Sequence, residues 1–299
     1  MKPLLDGPFA QARVLTGPTG SGKTRLALDL AKQIDAEIVS MDSMALYRGM
    51  DIGTAKPTPE QLREVPHHLI DRLDPWESAN VAWWLAEAAN ACRDITGRGK
   101  TPLFVGGTPL YLKALLFGLF DGPSADPAVR ARLEAEAAAV GNGPLHARLA
   151  AVDPAAATKI HVNDLRRIIR ALEVFELTGK PMSAWQQQWP TPTASADSTA
   201  IQWIDWPRSV LHERIDRRVD AMFADGLVEE VKQLLALPRP LSKEANQALG
   251  YKETTRHLTG ELSLADTIEA VKAHTRQFAK RQVTWFRHLP GCRPLKPVG

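Results

Sequence analysis

Gly17-Pro18-Thr19-Gly20-Ser21-Gly22-Lys23-Thr24 is the stretch that decides the fold. It spaces a glycine, four residues and then Gly-Lys-Thr, the pattern of a phosphate-binding loop. Ala12-Arg13-Val14-Leu15 before it reads as a strand, and Leu26 to Ile34 after it is apolar at 26, 30 and 34, as in a helix. Strand, glycine loop and helix form the context this motif needs. Glycines turn tightly enough for several N–H groups to face one anion, and the helix N-terminus adds partial positive charge. Lys23 is placed to reach outer phosphates, and the Thr24 hydroxyl to hold Mg²⁺. A phosphorylated ligand and a metal ion are expected; the competing reading is a chance glycine-rich turn.

The surrounding chain fits an α/β protein. Its 299 residues suffice for one large domain or two smaller ones, with ordinary apolar and charged fractions. The net charge of +3 is too small to announce a nucleic-acid binder, although local clusters can. Cys92 and Cys292 are far apart and in no Cys-x-x-Cys pair, which argues against a zinc site or disulfide framework. No apolar run has signal-peptide or membrane-spanning length, so a reduced, cytoplasmic protein is expected.

Glu37 to Met41 reads as a second strand ending at Asp42-Ser43-Met44-Ala45. Ligands gather beyond the carboxyl ends of strands in open α/β sheets, so Asp42 is a candidate general base or metal-side carboxylate. A turn or cap aspartate is the plainer alternative. Tyr47 to Pro57 reads as an ordered loop, and His67-His68 as strand residues facing opposite ways, one packed and one exposed. Asn80 to Ile95 reads as a helix with Trp83 and Trp84 in the core. Pro102 to Val105 reads as a buried strand running into Gly106-Gly107-Thr108.

From about residue 121 the pattern turns helical, with Asp126 and Pro127 opening one helix and Pro144 to Val152 forming another. A third runs from Asn163 or Asp164 to Thr178. Leu165, Ile168, Ile169, Leu172 and Phe175 make its apolar stripe, and Arg166, Arg167 and Arg170 its basic side. A polar connection from Trp185 to Ala200 follows, and α/β character resumes at Ile201. Residues 121–198 therefore read as an all-helical insertion in a core made of 1–120 and 199–299. The helix from Arg208 to Phe223 carries Arg214, Arg217 and Arg218, which Asp216 and Asp220 could simply pair. The last long helix, about Thr267 to Leu289, interleaves Lys280, Arg281, Gln282, Trp285 and Arg287, types that suit RNA phosphates, base edges and base faces.

Taken together these segments resemble the tRNA dimethylallyltransferase family. The resemblance rests on the phosphate loop and on Asp42-Ser43 through Met50-Asp51-Ile52-Gly53-Thr54-Ala55-Lys56-Pro57. It continues through Pro66 to Asp71, Gly106-Gly107-Thr108 with Leu110-Tyr111, Asn163 to Val174, Gly250-Tyr251, and Lys280-Arg281-Gln282 with Thr284-Trp285. It implies a P-loop NTPase-like parallel sheet core. The implied reaction transfers a dimethylallyl group from dimethylallyl diphosphate to N6 of adenine 37, next to the anticodon of tRNA, and releases diphosphate.

By the same resemblance, Asp42, Thr24, Lys23 and Arg218 are the catalytic set, and Gly17 to Thr24 with Arg214 and Arg218 hold the diphosphate or a nucleotide, with Mg²⁺ at Thr24. The tRNA-facing set is Asp42, Ser43, Met44, Ala45, Thr108, Arg130, Arg166, Arg167, Ile168, Ile169, Arg170, Gln247, Gly250, Tyr251, Lys252, Lys280, Arg281, Gln282, Trp285 and Arg287. The family carries glutamine where this chain has Arg166, and a cation there alters a base or backbone contact. No zinc-finger extension of the eukaryotic kind follows the last helix, as expected of a bacterial-type enzyme. A stacked base must leave the anticodon loop to be alkylated, which gives the helical insertion a role as the grip. The expected partners are the tRNA anticodon loop and dimethylallyl diphosphate, with no membrane, acting as a monomer.

Three other readings compete. A P-loop small-molecule kinase needs no RNA-gripping insertion. An adenylate prenyltransferase lacks use for the basic C-terminal helix. A non-enzymatic RNA-binding module leaves Asp42 beside a complete phosphate loop unexplained.

Overall fold

The computed structural model describes residues 5–119, 122–186 and 201–296. It divides into two compact units, Met1–Leu116 with Pro192–Gly299, and Phe117–Thr191. The sequence reading drew the insertion at 121–198, and the connection expected up to Ala200 lies outside the described residues beyond 186.

The first unit is built on strands β1 (Arg13–Thr16), β2 (Ala36–Ser40), β3 (His67–His68), β4 (Thr101–Gly106), β5 (Ile201–Ile204) and β6 (Arg293–Leu295). They form one parallel sheet in the order β3-β2-β4-β1-β5-β6. Parallel strands need crossovers, supplied first by helices α1 (Lys23–Gln33), α2 (Pro59–Glu64), α3 (Val81–Gly97) and α4 (Pro109–Phe117). Every residue of β2 is buried, as expected of a strand covered on both faces. That burial includes Glu37, whose carboxylate meets His68 Nε2 at 2.7 Å and Arg98 Nη2 at 2.7 Å. Burial pushes the Glu37 carboxyl up, but the hydrogen bonds from Arg98 and His68 outweigh it and hold it below its ordinary value.

Asn80 caps α3 by accepting the Trp83 N–H at 2.9 Å, which explains where that helix starts. Trp84 is fully buried, stacks on Tyr111 at 4.4 Å between centroids, and donates Nε1–H to Ser40 O at 3.1 Å. Trp83 is only half-buried. The two histidines of β3 are also both half-buried rather than one packed and one exposed. Each has its own partner, Val65 O for His67 and Glu37 for His68.

The second unit contains α5 (Pro127–Val140), α6 (Asn142–Val152), α7 (Pro154–Ala157), α8 (Leu165–Thr178) and α9 (Met182–Gln186). Asp126 caps α5 through the N–H groups of Ala128 and Val129, with Pro127 at the first position. Leu133, Leu145, Leu149, Ile168, Ile169, Leu172 and Val174 form its own apolar core. The first unit then resumes with α10 (Arg208–Ala224), α11 (Leu227–Leu235), α12 (Lys243–Asn246), α13 (Tyr251–Leu258) and α14 (Leu264–His288). α10 and α14 pack through Leu211, Ile215, Val219, Val271 and Ala279.

Candidate active site

Strand order makes β2, β4 and β1 neighbours, so the three segments leaving their carboxyl ends are neighbours too. These are Met41-Asp42, Gly107-Thr108 and the phosphate loop. Hydrogen bonds tie them: Thr108 N–H donates to Met41 O at 3.3 Å, Ser43 N–H to Thr108 Oγ1 at 3.1 Å, and Thr16 Oγ1 to Gly106 O at 2.7 Å. Glycine is required at 106, where a Cβ would fall 2.2 Å from the Met41 carbonyl oxygen.

The phosphate loop turns through positive φ at Gly20 (78°) and Gly22 (82°), and Gly22 is the N-cap of α1. Ser21 Oγ is buried within the loop with no hydrogen-bond partner, which suits a bound oxyanion as its acceptor. Burial lowers Lys23 to about 8; the charge of Arg218 adds to that shift, and the charge of Asp42 opposes it. Burial likewise lowers Arg218, again against Asp42. Two cations held near one carboxylate, partly stripped of water, form a site that an anionic ligand would relieve. Asp42 Oδ1 also accepts the Met44 N–H at 2.9 Å, so the turn role expected of it as the plainer alternative is present.

Helix α10 braces the loop. Arg214 Nε–H donates to Gly20 O at 2.9 Å and its guanidinium lies over Trp206 at 4.9 Å, while Trp206 Nε1–H donates to Ser21 O at 2.9 Å. Gly20, Gly22, Arg214, Arg217 and Arg218 line a cavity of about 320 Å³. Arg217 is the residue that sequence reasoning left without a role. Its signal was the spacing 214, 217, 218, which puts three cations on one helix face. Asp216 and Asp220 do not neutralise that face. They pair with Arg276 at 2.5 Å and Lys272 at 2.7 Å, both from α14.

A second surface lies on α14. Gln277, Lys280, Arg281, Thr284 and Trp285 line a groove of about 460 Å³, with Trp285 exposed. Arg287 lies further along, 3.5 Å from Asp205. Gln247 and Lys252 are exposed in the same unit. In the second unit Arg166 and Arg167 are exposed on α8, and Arg167 is 3.3 Å from Asp164.

Several expected RNA-facing side chains are otherwise engaged. Ile168 and Ile169 are buried in the core of the second unit, because the apolar stripe of α8 packs inward. Ala45 is buried and its carbonyl accepts the Asp71 N–H. Tyr251 is buried and donates its hydroxyl to Glu230 at 2.6 Å. Gly250 serves through its backbone, at φ 89°, donating its N–H to Glu253. Gln282 faces inward, 2 % exposed, with partners in the phosphate loop and at Gly107. Arg130 and Arg170 both bind the fully buried Glu173, at 2.8 and 2.6 Å. Their first duty is to neutralise a carboxylate that could not otherwise be buried.

Fold and site define a class, an α/β protein with a glycine-rich loop after its first strand and an arginine-lined cavity beside that loop. The sequence pattern of the IPP transferase family matches residues 45–289, and that described as isopentenyl transferase matches residues 10–73. A tRNA dimethylallyltransferase of Rhodopirellula baltica is 48% identical over 295 residues, covering 96% of this chain and 88% of its own. One from Geobacter metallireducens is 48% identical, covering 92% and 88%. The crystal structure of a tRNA isopentenylpyrophosphate transferase from Bacillus halodurans aligns with TM-score 0.68 at 40% identity, over 95% of this chain and 88% of that one. A eukaryotic dimethylallyltransferase acting on tRNA aligns with TM-score 0.77 at 30% identity, over 95% and 73%. The chain belongs to the IPP transferase family.

Proposed function

We propose that the chain is a tRNA dimethylallyltransferase, a prenyltransferase that joins the dimethylallyl group of dimethylallyl diphosphate to N6 of adenine 37 of tRNA. The bond that forms is N6 to the allylic carbon; the bond that breaks is that carbon to the diphosphate oxygen, and an N6 proton is lost. The carrying observation is the cavity that Gly20, Gly22, Arg214, Arg217 and Arg218 line beside the phosphate loop, with Arg218 Nη2 held by the Thr54 carbonyl at 3.4 Å. Negative charge grows on the leaving diphosphate, and preorganised cations stabilise it where they already stand. The N6 lone pair is delocalised into the purine ring, so a carboxylate accepting its proton assists attack; Asp42 takes that role.

Among the described residues no group of three His, Cys, Asp or Glu side chains could hold a metal by itself. Mg²⁺ is bound by one or two protein oxygens plus substrate phosphates in many such sites, and the Thr24 hydroxyl beside Lys23 fits that donor set. When bound, the ion would supply charge neutralisation at the diphosphate. The α14 groove, with Lys280, Arg281 and Trp285, and the exposed Arg166 and Arg167 of α8 are suited to RNA phosphates and unstacked bases. No described helix is long and apolar enough to cross a membrane.

The test is incubation of the purified chain with labelled dimethylallyl diphosphate and unmodified tRNA, with ATP and AMP as controls. Label in tRNA, lost when adenine 37 is replaced, supports the reading. Brisk ATP hydrolysis with no labelled RNA overturns it.

A further inference from the structure

Glu230 lies in the first turn of α11, outside every motif read from the sequence. Its carboxylate gathers four donors. Oε2 accepts the backbone N–H of Asp51 at 3.0 Å and of Ile52 at 2.8 Å; Oε1 accepts the N–H of Gly53 at 3.2 Å and the Tyr251 hydroxyl at 2.6 Å. Three consecutive amides of one irregular loop thus converge on a side chain from another element. The Tyr251 ring presses on the same loop. A Cβ at Gly53 would come within 2.4 Å of it, so that position is closed to other residues. Elsewhere in the loop Lys56, almost wholly buried, donates Nζ–H to Tyr47 O at 2.5 Å and to Asp51 Oδ1 at 2.6 Å.

Thr54, the residue after Gly53, is where this fastening reaches the arginine-lined cavity. The Thr54 carbonyl accepts a hydrogen bond from Arg218 Nη2 at 3.4 Å, and Arg218 lines the cavity with Gly20, Gly22, Arg214 and Arg217. An arginine side chain has many rotamers, and a fixed acceptor reduces the freedom it must lose when it binds an anion.

We propose that Glu230 is a positioning residue. It fastens the 51–54 loop and, through the Thr54 carbonyl, aims Arg218 at the diphosphate. The inference rests on reading that cavity as the diphosphate site. Glu230 touches neither substrate nor reacting atoms; it acts through Arg218.

The experiment uses inorganic pyrophosphate as the probe, with binding to the full chain followed by calorimetry. Glu230→Gln turns one acceptor oxygen into a donor that faces donors. It should weaken pyrophosphate roughly tenfold, the scale of one charge-assisted hydrogen bond, and speed hydrogen exchange at the 51–53 amides. Tyr251→Phe should act in the same direction by less. In turnover, kcat for prenyl transfer should fall while KM for tRNA holds. The decisive measurement is a double-mutant cycle with Arg218→Ala, because a residue acting through Arg218 has nothing left to lose once that side chain is gone. Coupled penalties support the proposal. Additive penalties, or unchanged pyrophosphate affinity despite faster loop exchange, overturn it. Should Glu230→Gln fail to fold, Tyr251→Phe carries the same cycle. A wild type that binds pyrophosphate with a coupled cycle but never labels tRNA would sink the transferase reading and leave this one standing.

Discussion

Gln282 accepts the backbone N–H of Thr19 at 2.9 Å, joining the last long helix to the phosphate loop across most of the chain's length. Its other amide atom, Nε2, donates to Gly107 O at 2.6 Å. One buried side chain therefore holds the ends of β1 and β4 at fixed separation. Gln282→Ala leaves both backbone groups unpaired, at a cost of about 1–3 kcal/mol. The expected result is a lower melting temperature together with weaker pyrophosphate binding, read by thermal unfolding and calorimetry. Intact pyrophosphate affinity would show that the loop holds its shape unaided.

Asp42→Ala should lower the prenyl-transfer rate about 10²–10⁴-fold, the usual worth of a positioned general base. Binding of tRNA, followed by filter retention, should survive. Single-turnover rates on saturating tRNA make the measurement, and an undiminished rate would remove Asp42 as the base.

Lys23 titrates at about 8 in the free protein, well below its ordinary value of 10.5, because burial and Arg218 disfavour its charge. The unfolded chain binds this proton more tightly, so Lys23 costs stability in full below about 8, and the cost disappears as pH rises toward 10.5. An anion in the cavity reverses the balance and draws the proton back. Pyrophosphate binding should therefore take up a proton between about pH 8 and 10. Calorimetry in buffers of different ionisation enthalpy reads that uptake, and Lys23→Met should abolish it.

The two kinds of arginine on α8 should behave differently. Arg166 and Arg167 are exposed, and reversing both to Glu should raise KM for tRNA. It should also flatten the salt dependence of binding by about 0.7 per lost phosphate contact, leaving the melting temperature nearly unchanged. Arg170→Glu instead sets a second carboxylate against the buried Glu173 at a cost of about 3–5 kcal/mol. Equal melting temperatures for the two variants would contradict that division.

The phosphate loop, the strand–loop–helix order, Asp42 and the arginine-bearing helix were all legible in the chain, since each depends on local spacing. Faces were harder to read. Ile168 and Ile169 showed their inward role through the apolar period of α8, whereas Tyr251 and Gln282 are polar at one end and turned inward to partners distant in sequence. Asp216 and Asp220 could be paired from the sequence only with their own helix, and α14 claimed them.

What the sequence determined by itself is the set of parts: a glycine loop that can face an anion, a carboxylate at a strand end, cations in a row. What only tertiary structure decided is which polar groups are used up in holding those parts. Hydrogen-bond partners far apart along the chain meet only after the sheet has chosen its strand order. That is why Glu230 looks like an ordinary surface acid until the loop over Asp51 to Gly53 is seen hanging from it.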